Sequence, residues 1–479
     1  MERIQVRFKT NMQDYENDYL DIVRAFYPHI ELSEEEDAKL IELNLYEGED
    51  LRFCTKVDLD INCLEHYENR FNLEVNNSLL VNNSLKKRHS KAFLYKVLSD
   101  KLGVNLPYGS LTGIRPTKLY HDLDGKIDVD AYFKDTLYCS DEKINLIKLI
   151  CKNQEGIYLK DESTVDVFVN IPICVTRCSY CSFLSAELRY VKSLICPYIN
   201  QVLEEIELTK QIINDRNLRV KSVYIGGGTP TSIDDENFEK IALAANFEAF
   251  GAKEYTIEAG RPDTITKSKL DIMAKAHVTR ISINPQSFNQ KTLDLIGRSH
   301  SIEEVYSVYN MAREYPFDIN MDLIAMLPGE TLEDFKCSVN EAIKLNPENI
   351  TIHTLALKRG SKLHEENYDN ASINLPSLMV DYAREAVMSA GYMPYYMYKQ
   401  KHVSGNLENV GYCKEGKACI YNVDIMEETT SIIANGAGAI SKRIYIDENR
   451  LERLPEAKGI QVYLERKDDI LSKKRAFFS

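Results

Sequence analysis

Residues 165–185 read "VDVFVNIPICVTRCSYCSFLS": a β-branched run from Val165 to Ile171, then Cys174, Cys178 and Cys181 within eight positions. A disulfide uses two thiols and a closed structural zinc site uses four ligands. No other Cys or His lies between Asp166 and Lys192, so zinc would have to recruit its last ligand from far along the chain. Ordinary buried thiols are the plainest alternative. An iron–sulfur cube offers a third reading, in which three cysteines hold three of four irons and the fourth iron stays open for a cofactor or substrate. That reading accounts for the missing ligand.

Outward from this stretch, β-branched runs recur: "VKSVYIGGG", "EYTIEAG", "RISINPQS", "FDINMDLIAML" and "NITIHTLAL". Segments of helical period separate them, such as "SLICPYINQVLEEIELTKQII" and "TKSKLDIMAKAHV". With the opening run this makes six strands alternating with helices, which predicts parallel strands joined by right-handed crossovers. The fold expected is α/β, a partial (β/α)6 TIM-like barrel over 161–392. A mixed α+β domain precedes it over 1–160, and a small C-terminal region, 393–479, is expected to line or close the barrel mouth. In such barrels chemistry gathers at the carboxyl ends of the strands.

The balance of 73 acidic against 59 basic residues, net −14, disfavours a nucleic-acid partner. The N-terminus lacks a basic segment followed by an apolar run, and no stretch approaches the roughly 20 apolar residues of a membrane span. A cytoplasmic protein with reduced thiols is the expectation.

Other strand ends carry candidate groups. Gly226, Gly227 and Gly228 in "YIGGGTPT" allow close backbone approach to a ligand, without a P-loop or dinucleotide fingerprint. Glu258 sits in an otherwise apolar strand end, where an unpaired carboxylate is costly; Arg261 is a candidate partner. Gln286, Arg298 and Asp322 follow at later strand ends, each equally readable alone as a satisfied polar residue.

The spacing of Cys174, Cys178 and Cys181 after the first barrel strand resembles the radical S-adenosylmethionine (SAM) superfamily. "GGGTPT", "EAGRPDTIT", "INPQSFNQKTLDLIGRSH", "MDLIAMLPGE", "YYMYKQKHVSGNLENVGY" and "LPYGSLTGIRPTK" are similar to oxygen-independent coproporphyrinogen III oxidase-like proteins (coproporphyrinogen dehydrogenases) of the HemZ branch. The resemblance implies a [4Fe–4S] cluster on the three cysteines and one SAM molecule, or two. Phe168, Gly227 and Glu258 match the first SAM site, and Tyr180, Gly228, Thr229, Gln286, Arg298 and Asp322 the second. Ile440 matches an adenosine contact.

The implied reaction is oxidative decarboxylation of propionate side chains to vinyl groups. It would convert coproporphyrinogen III to protoporphyrinogen IX in haem biosynthesis, with an electron donor such as flavodoxin or ferredoxin. The tetrapyrrole carboxylates would need cations, for which Arg115, Lys118, Lys358, Arg359, Lys399 and Lys401 are candidates. The better-studied branch has an aromatic hydroxyl where Phe168 stands, a histidine where Asn170 stands and a fourth cysteine where Phe183 stands; these departures bear on the decarboxylation. The alternatives are a radical SAM enzyme acting on another tetrapyrrole, and a haem-trafficking protein like the sister branch. That sister carries a His-Asn motif with a nearby Tyr-Trp, whereas this chain has no Trp; His402 and His353 are its conceivable haem ligands. An RNA-modifying radical SAM enzyme is disfavoured by the acidic balance and by the lack of a second tight cysteine cluster.

Overall fold

The computed structural model describes the chain except residues 1–3, 28–29, 36, 48–51, 61–63, 73–78, 114, 184, 359, 367, 369–373 and 401–406. It divides into two compact units, Met1–Leu149 with Tyr398–Glu408, and Ile150–Met397 with Asn409–Ser479. The division thus falls elsewhere than at the expected residues 160 and 392.

In the first unit, strands β1 (Ile4–Thr10), β2 (Ile30–Leu32), β3 (Lys39–Glu47), β4 (Arg52–Asp60) and β5 (Leu64–Asn72) form one sheet in the order β2-β1-β3-β4-β5. The β3-β4-β5 part is an antiparallel meander. Alternation along β3 and β4 turns Ile41, Leu43, Val57 and Leu59 to one face, where Leu94, Tyr95 and Leu98 of the helix Leu79–Leu102 complete a core.

The second unit is built on an 11-stranded sheet that does not close among the described residues; its strand residues Tyr398, Lys399 and Glu408 belong to the first unit. Its strands are β6 (Thr164–Ile171), β9 (Arg219–Gly227), β10 (Glu254–Gly260), β11 (Arg280–Ile283), β12 (Asp318–Ala325), β13 (Asn349–Thr354), β14 (Met393–Lys399), β15 (Glu408–Cys413), β16 (Ser431–Asn435), β17 (Ile440–Tyr445) and β18 (Arg450–Pro455). Between β6 and β9 a short ribbon pairs β7 (Ile173–Cys174) with β8 (Ala186–Glu187). The sheet order is β14-β15-β13-β12-β11-β10-β9-β6-β16-β17-β18.

The six expected strands, β6 and β9 to β13, lie side by side and parallel. β6, β10 and β11 are buried almost throughout, as strands covered on both faces must be, while β9 and β12 mix buried and half-buried residues. Helices enter the crossovers through polar caps: Asp234 and Thr266 accept from backbone N–H groups, and Ser301 and Thr331 form capping boxes. The C-terminal segment contributes to this same sheet at both ends. β15 runs antiparallel to β13, and β16 lies parallel to β6 as a seventh strand, with β17 and β18 beyond it.

Candidate functional site

The carboxyl ends of the parallel strands bring most of the expected residues into one neighbourhood. The cysteine loop leaves β6 after Ile171 and is pinned from several sides. Ser179 N–H donates to the Ile296 carbonyl at 3.0 Å and the Leu363 N–H to the Ser179 carbonyl at 3.0 Å. Arg177 reaches the Gly360 carbonyl. Arg261, nearly buried, donates to Thr176 Oγ1 at 2.7 Å and forks onto both oxygens of Asp263. Arg261 is therefore spent on the loop and on Asp263, and the alternative that paired it with Glu258 is not seen among the described residues.

Cys178 is buried, and Cys174 and Cys181 are half-buried. Thr229 Oγ1 lies 3.6 Å from Cys174 Sγ. Burial pushes the Cys181 thiol up to about 11 and raises Cys174 as well, although Thr229, Ser185 and the positive charge of Arg261 work against burial at Cys174. Such thiols become thiolates when a cation binds them. Among the described residues no three His, Cys, Asp or Glu side chains converge as on a single ion. A lone zinc, with sulfurs about 2.3 Å from the metal, draws its ligands tighter than a cluster whose cysteines sit on separate irons. The donor set fits the cluster.

At the β9 end, glycine is required. A Cβ on Gly228 would stand 2.6 Å from the Ile173 backbone, and one on Gly226 2.7 Å from Glu258 Oε2. Gly227 has φ +99°, and a Cβ there would overlap Asn170 Oδ1. Glu258 accepts from the Gly227 backbone N–H, yet burial, and then the neighbouring charge of Asp322, push its carboxyl up to about 7. Burial would raise Asp322 too. His353, with Nε2 3.6 Å from the Asp322 carboxylate, and Asn320, donating at 2.8 Å, outweigh burial and hold it low. Gln286 has φ +67°, unusual for a side chain with a Cβ. Two backbone bonds to β12 hold it there, its N–H to the Asp322 carbonyl and its carbonyl from Ile324 N–H.

Arg298 is buried, donates to the Asn284 carbonyl at 2.6 Å and reaches the Tyr180 hydroxyl at 3.3 Å. Its Nε has no partner among the described residues. Burial raises the Tyr180 hydroxyl. Ile440 opens β17 and is 46% exposed.

Phe168 stacks on Tyr224 and Tyr421, with ring centroids 6.3 and 6.0 Å away, and the two tyrosines stack at 4.6 Å. The three rings form one stack, with Phe168 from β6 and Tyr224 from β9. Tyr421 comes from the C-terminal region, and nothing local in the sequence marks it. Of the candidate carboxylate-binding cations, Arg359 and Lys401 lie outside the described residues, as does His402. Lys399 does not face a barrel mouth: it is 2% exposed, inside the first unit, donates to the Leu111 carbonyl at 2.9 Å and stands 4.1 Å from the Tyr108 ring centre. Lys118 pairs with Asp122 at 3.4 Å. Burial lowers the Lys358 ammonium. Arg115 belongs to the first unit.

The radical SAM superfamily matches residues 170–342. The coproporphyrinogen III oxidase HemN of Escherichia coli, a radical SAM enzyme, shares the fold with a TM-score of 0.52 at 19% identity, over 67% of this chain and 73% of its own. Sheet, cysteine loop and match together define a radical SAM protein, whose superfamily uses a [4Fe–4S] cluster and SAM. The oxygen-independent coproporphyrinogen-III oxidase-like protein HemZ of Bacillus subtilis is 38% identical over 395 residues, 79% of this chain and 78% of its own length. The chain belongs to that HemZ-type family. The haem chaperone HemW of Bacillus subtilis is 32% identical over 196 residues, 40% of this chain and 50% of HemW. Among the described residues no helix is long and apolar enough to cross a membrane.

Proposed function

We propose that the protein catalyses the oxidative decarboxylation of coproporphyrinogen III propionates to vinyl groups, giving protoporphyrinogen IX. The observation that carries this is the three-cysteine loop at the β6 end, set beside the glycine-lined β9 end and Glu258 in a HemZ-type chain. In this reading Cys174, Cys178 and Cys181 hold the cluster. Gly227 and Glu258 receive the methionine end of a first SAM with Phe168 beside it, and Ile440 contacts adenosine. Tyr180, Gly228, Thr229, Gln286, Arg298 and Asp322 form a second SAM subsite. Cluster and SAM supply a one-electron cleavage that yields a hydrogen-abstracting radical. Each propionate then loses one hydrogen atom to that radical, CO2, and one electron to an external one-electron acceptor, and an electron donor of the flavodoxin or ferredoxin kind primes the cluster.

A second reading, haem binding and delivery, draws support from the relatedness to haem chaperones and from two local features. Phe183, where a fourth cysteine stands in the better-studied branch, is 67% exposed, and Asn170 is committed to the Ala437 carbonyl.

The test is to incubate the anaerobically reconstituted protein with SAM, dithionite and coproporphyrinogen III, following deoxyadenosine and porphyrin products by mass spectrometry. Protoporphyrinogen formed in step with deoxyadenosine is the expected result. Deoxyadenosine without vinyl product would overturn the decarboxylase reading and leave haem binding to be measured. Cys178→Ala should abolish both products and lower bound iron well below the four atoms of a [4Fe–4S] cluster.

A further inference from the structure

Behind β16 lies a fully buried ion pair that the chemistry above does not use. Lys474, on the C-terminal helix Lys467–Phe477, and Glu205, on the helix Ile195–Asp215, are both 0% exposed. Lys474 Nζ donates to Glu205 Oε1 at 3.1 Å, to the Ala434 carbonyl at 2.6 Å and to Asn435 Oδ1 at 3.1 Å. Glu205 Oε2 accepts from the Gly436 N–H at 2.6 Å and from the Tyr463 hydroxyl at 2.8 Å. Glu456 Oε1 stands 4.0 Å from the same ammonium, and burial pushes the Glu456 carboxyl up to about 7.

Desolvating two charges is expensive, and a buried pair of this kind seldom raises stability over apolar residues of equal volume. Two of the three acceptors of Lys474 and the backbone donor to Glu205 nevertheless converge on one short segment, 434–436.

That segment leads into the site. Gly436 has φ +100°, and the N–H of Ala437 donates to the Tyr198 hydroxyl at 3.1 Å while that hydroxyl donates to the Asn170 carbonyl at 2.6 Å. Asn170 Nδ2 donates back to the Ala437 carbonyl, and its Oδ1 fills the space a Cβ on Gly227 would take. Three residues on from Ala437 comes Ile440. The chain of contacts thus runs from the C-terminal helix through 434–437 to Asn170 and Gly227, with neither charged group reaching the strand-end crevice itself.

We propose that Glu205 and Lys474 are positioning residues for SAM: they hold the 434–440 turn against Asn170, so that the turn and the β9 glycines keep a fixed separation. This rests on the reading of the strand-end crevice as the SAM site.

The experiment uses the anaerobically reconstituted full chain. SAM affinity is read from the change SAM causes in the electron paramagnetic resonance spectrum of the reduced cluster, alongside iron content and melting temperature. Wild type is compared with Glu205→Gln, which keeps an acceptor for Gly436, and with the double variant Glu205→Leu/Lys474→Met, which removes both charges together and so leaves neither buried alone.

The expected result is wild-type iron content and a wild-type spectrum without SAM in both variants. The SAM dissociation constant should rise about tenfold or more in the double variant and less in Glu205→Gln. A purely structural pair would lower melting temperature and iron content while the loaded fraction bound SAM normally, and that outcome overturns the proposal. Wild-type SAM affinity in a well-folded double variant overturns it equally. If SAM leaves the wild-type spectrum unchanged, the SAM reading of the crevice fails first, and the positioning role with it.

Discussion

A methyl group at Gly436 has nowhere to go. Its carbon would stand 2.5 Å from the Asn170 carbonyl oxygen and 2.7 Å from the Tyr198 hydroxyl, on a backbone with φ +100°. Gly436→Ala should therefore cost at least about 2 kcal/mol, strain and overpacking together. Gly125→Ala, also at positive φ but with nothing within 4 Å, should cost only the conformational part, about 1 kcal/mol; urea unfolding of the two variants gives the comparison.

Glu330 offers a second residue-level test. Burial pushes its carboxyl up to about 7, and Ser287 donates to one oxygen while the other has no partner among the described residues. An acid whose folded value is raised favours the folded state below its unfolded value of 4.5 and loses that contribution as pH rises to about 7. Glu330→Gln should thus be more stable than wild type at pH 8, by up to about 3 kcal/mol, with the difference gone near pH 4.5. Equal melting temperatures of variant and wild type at pH 8 would refute this.

At the scale of elements, the helix Ile420–Glu427 shows how a segment is held by a residue far upstream. Glu254, at the start of β10, accepts from the N–H groups of Ile420 and Tyr421 at 2.9 and 3.1 Å and from Cys419 Sγ at 3.2 Å, capping that helix from across the sheet. The Arg280 guanidinium lies 3.5 Å from the same carboxylate. Glu254→Ala should remove the cap and leave Arg280 without this buried partner, a loss of about 3–5 kcal/mol. Glu254→Gln should recover much of it, as measured by denaturant midpoint.

The six parallel strands were legible because each is a run of β-branched residues punctuated by glycine or proline, and the cysteine loop because its three cysteines are neighbours in sequence. "SIIAN" has the same texture, yet its place beside β6 depends on pairing across more than 260 residues, as in Ser431 opposite Val165, and no local pattern encodes that. Tyr421, Glu205 and Lys474 escaped for the same reason. Lys474 in "SKKRAFF" reads as surface charge, the usual fate of lysine. Lys399 was misplaced likewise, because its burial depends on Tyr108 and Leu111 far upstream.

For the whole molecule, the buried ionisable groups of the two compact units act on stability with opposite pH senses. In the first unit, burial lowers the Lys399 ammonium to about 7 from 10.5, a contribution to stability present above about 10.5 and lost as pH falls to about 7. In the second, Glu258, Glu330 and Glu456 are each pushed up to about 7 from 4.5, so their contribution is lost as pH rises across that interval. The melting temperature should fall between pH 5 and 7 and rise between pH 7 and 9. Lys399→Met should flatten only the latter.

The seating of β16 against β6 has a consequence for biogenesis. On the ribosome, the strand that launches the cysteine loop emerges long before residues 431–435, and until they arrive its outer edge is open, with unpaired N–H and C=O groups. A nascent chain halted short of residue 431 therefore presents a bare, apolar edge next to the three-cysteine loop. An unpaired edge of this kind invites aggregation, and the flank closes only when residues 431–435 pair with β6.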